Sequence, residues 1–580
     1  MRTRFLQSLF QLVLLIGILI FINIVARYFY GAIDLTEDKR FTLNEATYEL
    51  IDDLDELVTV DIYLSGELPP SFKRLEGAVI DLLNDFRGRT NQIAYSVKYP
   101  LEGTNEEVQA KMELLQKDKI VPINLTTTSK GGKEARLVFP YVIFRYKQSQ
   151  RVVNLLEGTN GYNLDFTQLE NINPSINMLE YKFANAIQKL QQKSRPRVVL
   201  LTGHGELQRP YTESLEAAMF EYYDIARLDL RQVTKIDTHI NVVLIPKPLG
   251  PFGDKQLFLL DQYVMNGGKI IWMVDALNME SDSMGATGQF APQERPLDLQ
   301  NILFNYGVRI NPNLVLDWES SSIPFVVGNN GGQPQIELRK WFYHPKVYPY
   351  HTPLEAQETG ANTIQHPIVR NLDFVDTRYP SSIDTLRTDA NIKKTPLLRS
   401  SKYSKVQYPP VQVSTGIIDA GVGQDAFTKE NQNIAVLLEG EFPSYFKGRV
   451  TPEMQASLQQ MGQPFLEESR ATKMIVISDG DIAKNGVERG SGKPLPLGMN
   501  QFERYTYGNK DFLMNCIEYM LDNRGIIAAR NKEVKLRPLD QERAFQEETK
   551  WQIINMVLPL LVLGLFGFGY TAWRRKRFGS

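Results

Sequence analysis

A single cysteine in 580 residues, Cys516, excludes any intramolecular disulfide and any thiolate metal cluster. Its neighbours Phe512, Leu513, Ile517 and Met520 predict a helix face turned inward, so the thiol reads as an inert core residue. No G-x-S-x-G is present and no cysteine follows any expected strand, which leaves hydrolase and amidotransferase chemistry without a nucleophile. The nearest approach to a phosphate loop, ERGSGKP at 488–494, has Val487 where the first glycine belongs and Pro494 after the lysine, and it reads as a turn. GGK at 131–133 fails by the same test. Histidines number five, and the spacings of 7 and 15 between His344, His351 and His366 match no metal motif. The residues thus point to no catalytic group, no metal and no cofactor.

Excess charge is lacking too, the formal net value being −2. Arg2, Arg4, Arg574, Arg575, Lys576 and Arg577 all lie at the ends, so the remaining 59 basic residues face 67 acidic ones and the body carries −8. That balance argues against nucleic acid as a partner. The length and 43% hydrophobic residues are enough for at least two folded domains.

Long apolar runs occur only at the two ends. LFQLVLLIGILIFINIV (9–25), preceded by Arg2 and Arg4, is long enough for a spanning helix, and no small-x-small cleavage site follows it, so residues 1–26 are expected to be an uncleaved anchor. IINMVLPLLVLGLFGFGYTA (553–572) lies between Trp551 and Trp573, with four basic residues after it, and 551–573 is expected to be a second span with a basic tail at 574–580. Positive charge at the outer end of both spans predicts cytoplasmic termini and a large extracytoplasmic body.

Between the spans the residues predict two domains. In 34–193, strands at 58–63, 93–99, 139–146 and 151–156 and helices at 71–86, around 108–115 and at 174–190 give the order β-α-β-α-β-β-α. That is the order of a thioredoxin-like domain. YLSGELPPSF after the first strand has no redox cysteines, so such a scaffold would serve for shape. In 194–530, strand-bearing segments at 197–206, 240–248, 268–276, 433–446 and 471–485 alternate with helices, which predicts a doubly wound, glutamine-amidotransferase-like α/β domain. Its rhythm breaks at about 318–432, rich in Gly, Pro, Asn and Ser, where an insertion of loops and short strands is expected. Residues 531–550 read as a linker.

Ligands in open α/β sheets bind beyond the carboxyl ends of the strands. Three loops are therefore candidate ligand-binding positions: Gly203, His204, Gly205 and Glu206; Asp275; and Asp479 with Asp481. The residue types would suit acid/base work or the holding of a small molecule or glycan; structurally, the glycines would serve a tight turn and the polar groups would bond nearby backbone.

The ordered segments DLTEDKRFTL, VDIYLSGELPPSFKRLEGAVIDLLNDFR, LEYKFANAI, LLTGHGE, LLEGEFPSYF, VISDGDIAKN and EVKLRPLD, between two spans, resemble the GldG family, gliding-motility-associated auxiliary components of ABC transporters. The resemblance runs over essentially the whole chain and implies a separate polytopic permease and a separate cytoplasmic ATPase as partners. It also implies similarity of the soluble region to a domain of an intraflagellar-transport protein, which favours protein interaction over ligand capture. A periplasmic or envelope protein is a further expected partner, and a homodimer through the insertion is compatible with the residues without being required by them.

Overall fold

The computed structural model describes residues 14–18, 21, 42–129, 132–157, 172–192, 194–280, 282–330, 333–350, 365–388, 391–418, 420–460, 462–531 and 541–578. Two compact units divide the chain, Phe41–Lys532 and Met1–Arg40 together with Glu533–Ser580.

The larger unit is mixed α/β. It opens with α1 (Glu45–Asp52), capped by the Asn44 side chain, which accepts from the Ala46 N–H and satisfies a donor the helix cannot pair internally. Then come β1 (Val58–Ile62), α2 (Pro70–Arg89), β2 (Ile93–Val97), α3 (Asn105–Lys117), β3 (Ile123–Ser129), β4 (Gly132–Val138), β5 (Tyr141–Tyr146), β6 (Ser149–Asn154), α4 (Asn173–Asn177) and α5 (Leu179–Gln191). A four-stranded sheet has the order β2-β1-β5-β6, with β1 parallel to β2 and antiparallel to β5, and β5 antiparallel to β6. Leu75, Val79, Leu83 and Phe86 recur every three or four residues along α2, and all four are fully buried against this sheet. The β3–β4 hairpin, paired from Ile123 with Val138, is an addition to the expected order.

The rest of the unit is built on β7 (Arg197–Thr202), α6 (Glu213–Phe220), β8 (Asp224–Asp229), β9 (Ile240–Pro246), α7 (Asp254–Met265), β10 (Lys269–Met273), α8 (Gln300–Asn305), β11 (Ser320–Asn330), β12 (Gln333–Pro349), β13 (Lys393–Arg399), β14 (Asn433–Gly440), β15 (Thr472–Ile477) and α9 (Asn509–Leu521). One sheet runs β11-β12-β13-β14-β15-β10-β9-β7-β8, with a short strand at Val375–Asp376 beside β12. β8, β7, β9, β10 and β15 are mutually parallel, and β14, β13, β12 and β11 then continue antiparallel. The inner parallel strands β7, β9, β10 and β15 are mainly apolar because both faces are covered. Val199, Val243, Trp272 and Val476 pack on the α7–α8 side, and Val198, Leu244, Ile271 and Ile475 on the α6–α9 side, where Cys516 is fully buried.

Two expectations need amending. The sheet is parallel in only five strands: β14 enters antiparallel, although its composition is that of a buried parallel strand. The segment expected to hold loops and short strands instead supplies three strands of the main sheet, β11, β12 and β13, of which β12 is seventeen residues long.

In the other unit, α10 (Gln541–Phe578) begins within the expected linker, ten residues before the expected span. Its stretch Glu547–Arg577 is long and apolar enough to cross a membrane, and none of its most apolar window is buried by protein. Pro559 lies inside the helix without ending it. The N-terminal run falls mostly outside the described residues; Leu14–Ile18 and Phe21 are helical. His351 also lies outside them.

Candidate functional site

The chain passes from β7 outward to β8, then back across β7 to β9, so strand order reverses between β7 and β9. Crevices at such reversals are the usual ligand positions of open α/β sheets. A cleft of about 430 Å3 opens there, lined by Gly203, His204 and Gly205 after β7, by Leu249, Gly250 and Pro251 after β9, and by Arg231 and Gln256. Both glycines are needed: their φ angles are +116° and +81°, and a Cβ would meet Asp229 Oδ1 at 2.5 Å at Gly203 and Leu249 Cβ at 3.0 Å at Gly205. The His204 carbonyl accepts from the N–H groups of Leu249 and Gly250, both at 2.8 Å, and ties the two loops together.

His204 and Glu206 are both buried. One Glu206 oxygen accepts from the His204 backbone N–H at 2.7 Å and the other lies 3.1 Å from Nδ1, while the imidazole stacks on Phe252 with ring centroids 3.9 Å apart. The loop's own carboxylate therefore orients the ring. Across the cleft Arg231 donates Nε and Nη2 to the two oxygens of Asp229 at 2.9 and 2.7 Å, and this fork holds the Asp229 carboxyl down to about 2.

Asp275, Asp479 and Asp481 form a second, separate cluster around Lys247, which lies directly after β9. Lys247 Nζ lies 2.5 Å from Asp481, 2.8 Å from Glu280 and 3.2 Å from Asp275, with its ammonium almost wholly enclosed. Asp275 accepts from the Gly480 N–H at 2.5 Å, and Asp479 accepts from the N–H groups of Asp481 and Arg378, both at 2.8 Å. Lys484 approaches Asp481 at 3.4 Å, and Arg295 approaches Glu280 at 3.5 Å. Burial alone would push the Asp481 carboxyl up, but Lys247, Lys484 and Arg378 together hold it below its ordinary value. Asp275 and Asp479 go up, through burial first and then through neighbouring carboxylates. Burial lowers Lys247, yet the three carboxylates more than offset that and raise it. His344, also buried, is pushed down to about 3 by burial and then by Arg378, so it is neutral.

The backbone at this cluster is held unusually: Lys247 and Tyr379 have φ of +53° without being glycine. Gly480 lets Lys247 approach, for a Cβ there would sit 2.6 Å from both Cβ and Cγ of the lysine. Gly480→Ala is therefore expected to destabilise the larger unit by about 1–3 kcal/mol, seen as a lower urea midpoint at unchanged slope. An unchanged midpoint would show that the contact is slack.

The sequence places all seven candidate residues beyond the carboxyl ends of parallel strands, and the structure brings the three aspartates together while leaving Gly203, His204 and Gly205 in the neighbouring cleft, with Glu206 buried behind His204. Lys247, Glu280, Arg378 and Arg231 went unnoticed. Lys247 had a signal, a lone cation closing the apolar run INVVLIP; Arg378, from the inserted segment, had none. Among the described residues no group of three or more His, Cys, Asp or Glu could hold a metal ion.

Residues 37–145 match a domain of unknown function. No curated protein matches the chain. Among solved structures, one described as the mmIFT52 N-terminal domain is 10% identical and covers 56% of this chain and 98% of its own, with a TM-score of 0.29, too low to establish a shared fold. Residues 195–516, which hold the parallel strands and both clusters, match the model of a family described as ABC-type uncharacterized transport system. That match spans more than half of the chain, and the protein belongs to this family of ABC-transporter auxiliary components.

Proposed function

We propose that the protein is a non-enzymatic, extracytoplasmic auxiliary subunit of an ABC transporter of the GldG type, associated with gliding motility, that couples a polytopic permease and its cytoplasmic ATPase to an envelope protein. The observation that carries this reading is the family match across the main sheet. The apolar helix α10, bare of protein cover, supports a membrane anchor. In this reading both termini are cytoplasmic, residues 1–26 and 551–573 span the inner membrane, and 34–193 and 194–530 are its two domains. The order β2-β1-β5-β6 supports a thioredoxin-like use of the first domain for shape. The ion network around Lys247 supports a fixed subunit over a shuttle, since its carboxylates face cations of the same chain.

A detergent pull-down of the full chain from its native membrane tests this. Stoichiometric recovery of a multi-span permease and a nucleotide-binding subunit is expected. Recovery of the chain alone, under conditions that preserve other membrane complexes, would overturn the reading.

A further inference from the structure

We propose that the cleft between the ends of β7 and β9 binds a small hydroxylated anion, a polyol bearing a phosphate or carboxylate group. The transporter reading neither requires this nor is required by it.

Its position fits a ligand site, for it lies at the reversal of strand order, and it is an open cleft of about 430 Å3, room for a small ligand held against one wall. The chemistry comes from three groups that the fold aims at it without using up. His204 is 7% exposed and lines the cleft, and of its two ring nitrogens Nδ1 is the one with a hydrogen-bond partner among the described residues. In the tautomer that gives Nδ1–H to Glu206, Nε2 is the ring nitrogen left to accept from a ligand hydroxyl. The second group is Arg231, whose hydrogen bonds use Nε and Nη2 only; the Asp229 fork fixes the plane of the guanidinium and leaves Nη1 for an anion.

The third group is the amino end of α7. This helix of twelve residues starts after Gly253, whose lack of a side chain leaves the first-turn N–H groups without a side-chain cap. Its third residue, Gln256, lines the cleft, which sets the amino end of the helix, where the dipole is positive, at the edge of the cleft. Leu249 and Pro251 supply an apolar wall for the carbon skeleton. The acidic groups nearby are committed: Glu206 to His204, Asp229 to Arg231. Asp254, in the same helical turn, is exposed beside the exposed Lys255.

Isothermal titration of the purified full chain in detergent, at neutral pH and low salt, tests the proposal with ribose 5-phosphate, ribose and inorganic phosphate as probes. Saturable binding of ribose 5-phosphate is expected, at least tenfold tighter than that of either fragment. Arg231→Gln should weaken it by about tenfold or more, the usual loss for one charge-assisted hydrogen bond. Arg309→Gln, which breaks another exposed ion pair, should leave it unchanged. Both replace exposed arginines, so a matching melting temperature checks the fold. No saturable binding at millimolar ribose 5-phosphate, or an unaltered affinity in Arg231→Gln, would overturn the site. Ribose binding as tightly would remove the anion from the proposal, and inorganic phosphate binding as tightly would remove the hydroxyl. The assay uses the chain without partners, so its failure and that of the pull-down are independent.

Discussion

Replacing Lys247 with methionine is expected to lower the stability of the larger unit by about 3–5 kcal/mol, the usual result of removing one partner from a buried ion pair. Methionine fills much the same space, so the loss would be electrostatic. Asp275 and Asp481 would remain buried, at 4% and 7% exposure, after losing the ammonium at 3.2 and 2.5 Å. The sign of the pH dependence follows from the shifts. Lys247 is raised, so its contribution is complete at neutral pH and lost only when pH climbs through its elevated value. Asp481 is depressed, so its contribution is present above the ordinary aspartate value of 3.8 and lost as pH falls through its lower folded value. The gap between native and variant proteins should be widest near neutrality and narrow in acid, where the stranded carboxyls take up protons. Urea titrations at pH 7 and pH 4 measure both; equal midpoints at pH 7 would show that the network contributes no net stability.

Glu518→Ala is expected to cost about 3 kcal/mol or more, for a similar reason at a different place. Glu518 on α9 accepts from Asn185 and Tyr181 on α5 and pairs with Lys189 at 2.8 Å, joining the two halves of the larger unit through one carboxylate. Burial would push this carboxyl up, but Lys189, Tyr181 and Asn185 together hold it below its ordinary 4.5. Its contribution is therefore present above pH 4.5 and lost as pH falls through its lower folded value. Glu518→Gln keeps hydrogen-bonding capacity without the charge and should fall between the two. A midpoint for Glu518→Ala within experimental error of the native one would mean that apolar packing of Ile526 and Ile527 on the first half holds the junction alone.

Much of this architecture is legible in the residues. The mainly apolar runs at 197–202, 240–246 and 472–477 read as strands covered on both faces, and all three run parallel in the main sheet, the last separated from the other two by β10. Direction is another matter. NIAVLLEG has the composition of its parallel neighbours yet runs against them, because periodicity records burial and carries no sense of orientation. The hairpin over 320–349 was hidden by Gly, Asn and Pro, which mark turns but here surround the tip of two long strands. β8 lacks a strand signal because DIARLD has charges at 224, 227 and 229, neither an apolar run nor a strict alternation, as an outermost strand can. At the site, the aspartates announce themselves by following apolar strands. Their partner Arg378 reaches Asp479 from 101 residues away, and no local pattern encodes such a meeting.

The distance between β10 and β15 bears on how the chain is made. The two strands are hydrogen-bonded neighbours in the middle of the sheet, and the loops after them meet where Gly480 donates to Asp275 across 205 residues of sequence. At roughly 5–20 residues per second, synthesis of the intervening chain takes about 10–40 s. Throughout that interval Ile270, Ile271 and Trp272 lie along an open, wholly apolar strand edge, the kind that recruits other chains. A half-sheet β8-β7-β9-β10 that forms before β15 is made has to wait with that edge open. The demand for chaperoning should be greatest there, and it should end abruptly once Ile477 has emerged.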